Sequence, residues 1–471
     1  MTGLGFLAGQ TVAVLGLGKS GLTAARALMS AGAEVRAWDD AAKARDAAAG
    51  QGVPLADLAA AAVDGAAMLV LSPGIPRAWP EPHPAVARAF EAEVPVVIDI
   101  DLLALAQPEA RYIGITGTNG KSTTTALIGH ILETAGVPCA AGGNLGTPAL
   151  ALPPLGADGW YVLELSSYQL ETVSQAAWTI GVFLNISPDH LDRYPDMMTY
   201  VSAKTRLFDT PAPDAVAVIG TDDDWSNAVY YYRSHQGPHR VLPIAVTLPC
   251  PGGVWVEDGR LIDGLDGDGT MVLDLREAPA LPGIHNWQNA AAAYAAARAA
   301  GVGREAAVAA IRSFPGLRHR QELVAEIGGI RFVNDSKATN ADAAVRALAC
   351  YRPIYWIAGG RPKPGGLAGV EPELHRVAHA FLIGEASDDF AAFLAAQALP
   401  VPTTVCGDLD TAVAAAFEQA GGHGGDGVVL LSPACASFDQ YPNFEARGDA
   451  FVRAVRNLLP QIAGTGEGGA A

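Results

Sequence analysis

The residues best suited to chemistry lie in Tyr112-Ile-Gly114-Ile-Thr-Gly117-Thr118-Asn119-Gly120-Lys121-Ser122-Thr123-Thr124. An apolar run, a glycine-rich loop and Lys-Ser at the start of a helical stretch make a phosphate cradle. Backbone N–H groups hold phosphate oxygens, the lysine reaches the outer phosphates, and the hydroxyl reaches Mg²⁺. Ile115 stands where the strict G-x-x-x-x-G-K-[ST] spacing has its first glycine, so the loop is a variant. A ligand-free turn would keep the glycines but has no use for Lys121-Ser122. A second glycine pattern, Gly16-x-Gly18-x-x-Gly21, follows Thr11-Val-Ala-Val-Leu15 and has Asp39 at the end of the next apolar run. That spacing fits a nucleotide diphosphate at a helix N-terminus, with an acid available to a ribose hydroxyl; a tight turn without ligand is the plain alternative.

Triphosphate chemistry also needs a metal shell. Glu164 ends the apolar run Trp160-Tyr-Val-Leu-Glu164, where an α/β sheet opens onto its ligand crevice. His190 lies in Ser187-Pro-Asp189-His190-Leu-Asp192-Arg193, a loop after another strand-like run. Lys204, in Tyr200-Val-Ser-Ala-Lys204, reads by itself as a solvated helix lysine. In the last third, Arg318-His319-Arg320, Asn334-Asp335-Ser336-Lys337-Ala338-Thr339-Asn340 and Lys363 put cations and hydroxyls on loops, suited to a polyanionic ligand. Cys435, among small apolar residues with no nearby histidine, reads as a packed thiol.

The elements that must position these groups alternate strand-like and helix-like along the whole chain, the pattern of parallel α/β sheets. Runs such as Met68-Leu-Val-Leu71 and Gly427-Val-Val-Leu-Leu431 are apolar throughout, as strands covered on both faces should be. The alanine-rich stretch from Asn289 predicts a helix stopped by Gly301, and Asp258-Gly259 between alternating residues predicts a hairpin. The chain has 471 residues, half of them hydrophobic. That predicts two to four domains of roughly 100–200 residues. Boundaries fall near Gln107-Pro108 and Phe314-Pro-Gly316. The net charge of −18 excludes nucleic acid and anionic membrane as main partners. Five scattered cysteines without a C-x-x-C pair, and no apolar stretch that spans a bilayer, predict a reduced, cytoplasmic protein.

Taken together these strings resemble the Mur ligase family, the ATP-dependent amide-forming enzymes of bacterial cell-wall precursor synthesis, from the first strand to about Arg456. Gly117-Thr-Asn-Gly-Lys-Ser-Thr123 is common to that family. Glu164-Leu-Ser-Ser-Tyr-Gln-Leu-Glu171, Asp189-His-Leu-Asp-Arg-Tyr194, Asn334 to Asn340, Ser432-Pro-Ala-Cys-Ala-Ser-Phe-Asp-Gln440 and Phe444-Glu-Ala-Arg-Gly448 resemble its D-glutamate-adding branch.

The resemblance implies three α/β domains, each on a mainly parallel sheet: a Rossmann-like domain over 1–107 for the UDP-bearing substrate, a P-loop ATPase domain over 108–314, a Rossmann-like amino-acid-binding domain over 315–463, and a disordered tail at 464–471. It implies ATP on Gly117 to Thr123, Asn286, Asn289, Arg320 and Asp335. It puts Mg²⁺, at two sites, on Ser122, Glu164, His190 and an N-carbamylated Lys204, with Lys121, His190, Lys204 and Arg320 catalytic. The UDP substrate falls to Gly18, Ser20, Ser72, Gly74 and Asn144, and the incoming amino acid to Lys337, Thr339, Lys363, Ser437 and Phe444. Asp39-Asp40-Ala41 departs from members that carry Thr-Arg after the second strand, and the Lys363 loop is unusually proline-rich. The implied reactants are ATP, UDP-N-acetylmuramoyl-L-alanine and D-glutamate, handled by a monomer without nucleic acid or membrane insertion. The rivals are a sibling ligase for another amino acid, such as L-glutamate, and an NAD-dependent oxidoreductase.

Overall fold

The computed structural model describes residues 3–463 apart from 145, 192, 238, 268 and 423–425. The expected tail at 464–471 lies outside the described residues. The fold is α/β, with three sheets of mostly parallel strands.

The first sheet has the strand order Glu34–Trp38, Thr11–Leu15, Met68–Leu71, Val96–Val97, all parallel. The second has nine strands. Reading across, they are Thr270–Asp274, Arg260–Asp263, Val254–Glu257, Arg240–Ala245, Pro211–Gly220, Trp178–Phe183, Arg111–Thr116, Trp160–Glu164 and Cys139–Gly143. Its first three strands form an antiparallel edge, and the rest are parallel. The expected hairpin is there, with Asp258 and Gly259 both at positive φ as a two-residue turn of this hand requires. The third sheet runs Glu322–Ile327, Ile330–Asn334, Gly427–Leu431, Ile354–Gly359, Val377–Ile383, Thr403–Gly407, with one antiparallel edge pair.

The chain divides into two compact units. One runs to Glu277 and includes Asn286–Phe314; the other holds Ala278–His285 and the chain from Pro315. The first two sheets thus share one unit. Their core is continuous, from Val12, Val14 and Leu28 through Leu103 to Tyr112, Tyr161 and Trp178. The helix Asp99–Ala106 makes the join. The buried Asp101 carboxylate accepts from Ile98 N at its own helix start and from Ser174 N and Gln175 N of the neighbouring loop. In the second unit, Trp356, Val428 and Leu430 pack one face of the sheet and Phe332, Tyr355 and Ile357 the other. Among the described residues no helix is long and apolar enough to cross a membrane.

Candidate active site

The glycine-rich loop leaves the buried strand Arg111–Thr116, which lies between two other parallel strands. Gly117 and Gly120 both hold positive φ, at 149° and 83°. A Cβ on Gly120 would lie 2.1 Å from Asn289 Oδ1, so the close approach of that amide demands glycine. Helix Lys121–Thr134 starts at once, giving a cradle of N–H groups at a helix N-terminus. Lys121 Nζ donates to the Gly117 and Thr118 carbonyls at 3.0 and 2.8 Å, which keeps its charge over the cradle. Ser122 is buried in the first turn, with Thr123 partly exposed beside it. Thr124 Oγ1 donates to Asn289 Oδ1, and Asn289 Nδ2 donates to Asn286 Oδ1. The structure therefore brings Asn286 and Asn289 to the loop.

Lys204 reverses the plain reading of its helix. It is only 2% exposed, at the last turn of Met197–Thr205, and Nζ donates to Gly117 O at 2.9 Å. The ammonium lies 4.8 Å from the centre of the Tyr200 ring. Burial, and then the charge of Lys121, holds its pKa well below the usual lysine value, while Asp189 and Glu164 oppose this. The neutral amine so favoured is the form that can add CO₂.

Glu164 ends a wholly buried strand. Asn144 Nδ2 donates to its Oε1 at 3.0 Å, and Oε2 is buried without a partner. An orphaned buried carboxylate oxygen fits a cation, because leaving it unpaired carries a desolvation cost. Among the described residues no group of three or more His, Cys, Asp and Glu could hold a metal. A donor set at Glu164 is then not made of such side chains alone; a hard cation such as Mg²⁺ also takes hydroxyl oxygens and waters.

His190 stands on an exposed loop at φ 55°. Its Nδ1 is 3.0 Å from Tyr168 Oη, and its ring faces Tyr200 at 6.3 Å between centroids. Tyr200 Oη in turn meets Thr118 Oγ1 at 3.1 Å. Tyr200 thus stands among Thr118, Lys204 and His190, a role that its place in the sequence did not signal. Asn185 was missed as well. Its carbonyl accepts from Thr118 N, and its side-chain Oδ1 accepts from Asn119 N at 2.9 Å.

In the first sheet, Gly16 sits at φ 90°, and a Cβ there would lie 2.5 Å from Ser72 Cβ. A Cβ on Gly21 would lie 1.8 Å from Gly16 O, while Gly18 faces open space. Ser72 Oγ donates to Gly16 O, so the Ser72 loop, which continues to Gly74, is tied to the glycine loop; Ser20 lies in the first turn of Lys19–Ser30. Asp39 also braces the loops around it. Its Oδ2 accepts from Leu17 N at 2.7 Å and its Oδ1 from Ala41 N at 2.8 Å, so the carboxylate is used to shape its own loops. Lys19 Nζ donates to Gly146 O, which links this loop to the turn that carries Asn144.

In the second unit, the buried Asp335 accepts from Ser432 Oγ at 3.0 Å and from Gln321 N at 3.2 Å; burial pushes its carboxyl up to about 7, against the nearby Arg320 charge. Lys337 Nζ lies 4.0 Å from the Phe444 ring centre, and Thr339 N donates to Lys337 O. Ser437 is buried, and Lys363 stands exposed on its loop. These loops share a support that the pattern of charges did not reveal. Arg447, only 1% exposed, donates to Ser336 Oγ and O and to the Cys435 and Ala436 carbonyls. Cys435 is fully buried, its thiol pushed up to about 12, as a packed structural thiol should be.

Three family models match consecutive stretches of the chain: the Mur ligase MurD-like N-terminal domain over residues 10–98, the Mur ligase middle domain over 115–297, and the Mur ligase glutamate ligase domain over 319–435. A Rhodospirillum rubrum protein named UDP-N-acetylmuramoylalanine–D-glutamate ligase is 50% identical over 471 residues, covering 98% of each chain. A protein of the same name from Caulobacter sp. is 48% identical over 96% of this chain and 97% of its own. Among solved structures, a UDP-N-acetylmuramate-alanine ligase from Thermotoga maritima covers 95% of this chain and 100% of its own, with a TM-score of 0.57 at 17% identity. A pseudomurein peptide ligase type C from Methanothermus fervidus covers 96% of this chain and 100% of its own, with a TM-score of 0.54 at 18% identity. At that identity the two structures speak to the fold alone. The family matches and the near-full-length relatives establish that the chain belongs to the Mur ligase family.

Proposed function

We propose that this chain is an ATP-dependent ligase that joins D-glutamate to the terminal carboxylate of UDP-N-acetylmuramoyl-L-alanine in peptidoglycan precursor synthesis, acting in the cytoplasm as a monomer. The observation that carries the reading is the buried Lys204 on the Gly117 carbonyl of a phosphate cradle. A ligand-free turn has no need of a second lysine there. The substrates follow from the names and near-full-length identity of the relatives.

We assign the UDP moiety to the domain over 1–107 (Gly18, Ser20, Ser72, Gly74) together with Asn144. ATP goes to the domain over 108–314. D-Glutamate goes to the domain over 315–463, through Lys337, Thr339, Lys363, Ser437 and Phe444. Ser122, Glu164, His190 and Lys204, once carbamylated, would hold Mg²⁺. When bound, it supplies positive charge to the phosphate oxygens.

The residues of the chain then act by position and charge. The cradle N–H groups and Lys121 orient the triphosphate so that the substrate carboxylate can take its γ-phosphoryl group. In the resulting acyl phosphate the carbonyl carbon is open to the amine of D-glutamate. Attack gives a tetrahedral adduct that collapses to the amide as phosphate leaves.

Phosphate release from ATP with UDP-N-acetylmuramoyl-L-alanine tests the reading when D-glutamate, L-glutamate and meso-diaminopimelate are compared as acceptors. Release and amide formation with D-glutamate alone are expected. Preference for another acceptor would make the chain a sibling ligase.

A further inference from the structure

Gln288 lies on the helix Ile284–Ala299 between Asn286 and Asn289, yet it faces neither. It is only 7% exposed, and both ends of its amide are engaged. Its Oε1 accepts from Asn185 Nδ2 at 2.8 Å, and its Nε2 donates to Asp222 Oδ2 at 2.8 Å. Asn185 grips the phosphate loop on its other side. Its Oδ1 accepts from Asn119 N, and Nδ2 also donates to Asn119 O at 3.3 Å. At the far end, Asp222 Oδ1 accepts from Val246 N, Thr247 N and Thr247 Oγ1 at 2.8–3.0 Å.

The chemistry of the two ends sets the direction of the whole row. The Asn119 N–H can only donate, so Asn185 must present its oxygen there and its NH₂ to Gln288. An ionised Asp222 can only accept, so Gln288 must present its NH₂ to Asp222 and its oxygen to Asn185. Each amide is therefore held in one orientation by a group that cannot switch roles, which removes the usual ambiguity of amide assignment. The row spans three strand ends, after Arg111–Thr116, Trp178–Phe183 and Pro211–Gly220, and the start of one helix.

We propose that Gln288 and Asp222 are positioning residues for the nucleotide. Through Asn185 they hold the Asn119 peptide in the conformation that aims the loop N–H groups at the phosphates. The inference rests on the reading of Gly117–Ser122 as the phosphate cradle. It adds that the shape of the cradle depends on a carboxylate three hydrogen bonds away.

The polarity of the row gives a direct test. Gln288→Glu sets two carboxylates against each other, and Asp222→Asn sets two NH₂ groups against each other. Combining the two substitutions exchanges carboxylate and amide and restores each bond. The new carboxylate at 288 accepts from Asn185 and from the new amide at 222, whose oxygen still accepts from Val246 and Thr247. Affinity for a non-hydrolysable ATP analogue and for UDP would be measured by titration calorimetry on the full chain, with thermal unfolding alongside.

Each single substitution should weaken the ATP analogue about tenfold, as loss of a positioning hydrogen bond does, and leave UDP binding unchanged; the double variant should return to within about threefold of wild type. Singles that bind the analogue as wild type does would overturn the proposal, even if their unfolding temperature falls, because the row would then be structural only. A double variant as weak as the two effects summed would also overturn it. Failure of the wild-type chain to bind the analogue would instead sink the cradle reading, and the proposal with it.

Discussion

Lys204 and Lys121 both place an Nζ on the Gly117 carbonyl, yet they are suited to different work. Lys121 is partly exposed at the start of its helix, where an ammonium can meet phosphate oxygens. Lys204 is sealed in, and a permanent cation there would be costly. The proposed carbamate would put an anionic oxygen donor in place of this amine, within the field of the Glu164 charge. Lys204→Ala should therefore lower turnover roughly a thousandfold, and added acetate or formate should restore part of it. A variant as active as wild type would remove the carbamate from the account. Lys121→Ala should cost roughly a hundred- to a thousandfold in ATP-dependent phosphate release, with circular dichroism unchanged. Retained turnover would show that the loop does not hold the phosphates.

The helix Asp99–Ala106, which joins the first two sheets, carries a buried acid that is exposed to pH. Burial pushes the Asp99 carboxyl up to about 6, against the pull of the Ile100 N–H. The folded state therefore binds this proton more tightly than the unfolded chain does. The stability it contributes is present below about pH 4 and is lost as pH rises through about 6, a change of up to roughly 3 kcal/mol. Asp99→Asn should flatten that fall. Unfolding curves at pH 5 and pH 8 should show the variant gaining on wild type at the higher pH, and an equal difference at both would contradict the argument. Elements of this kind were legible as strings. The glycine loops, the Asp258-Gly259 hairpin and the helix stop at Gly301 each follow from local pattern. What they bury was not. Lys204 looks solvated because its cover comes from Gly117 and Tyr200, and the bonds of Asp39 to Leu17 and Ala41 leave no trace in the spacing. Tyr200 and Gln288 gave no signal, since hydrogen bonds between distant loops have no period in sequence.

For the molecule as a whole, the boundary near Phe314-Pro315 was readable from Pro and Gly, but the grouping of Ala278–His285 with the second unit was not. That segment follows its packing: Cys350 Sγ reaches Pro282 O, and Gln321 Nε2 meets His285 Nε2. The two units carry the separate halves of the proposed chemistry, the phosphate cradle and Glu164 in one, Asp335, Lys337 and Ser437 in the other. The central claim is that ATP activates a substrate carboxylate by taking its oxygen onto phosphorus. UDP-N-acetylmuramoyl-L-alanine labelled with ¹⁸O in its terminal carboxylate, turned over with ATP and D-glutamate, tests that claim directly by mass analysis of the released phosphate. The account predicts one ¹⁸O in each phosphate formed; unlabelled phosphate accompanying amide product would contradict it.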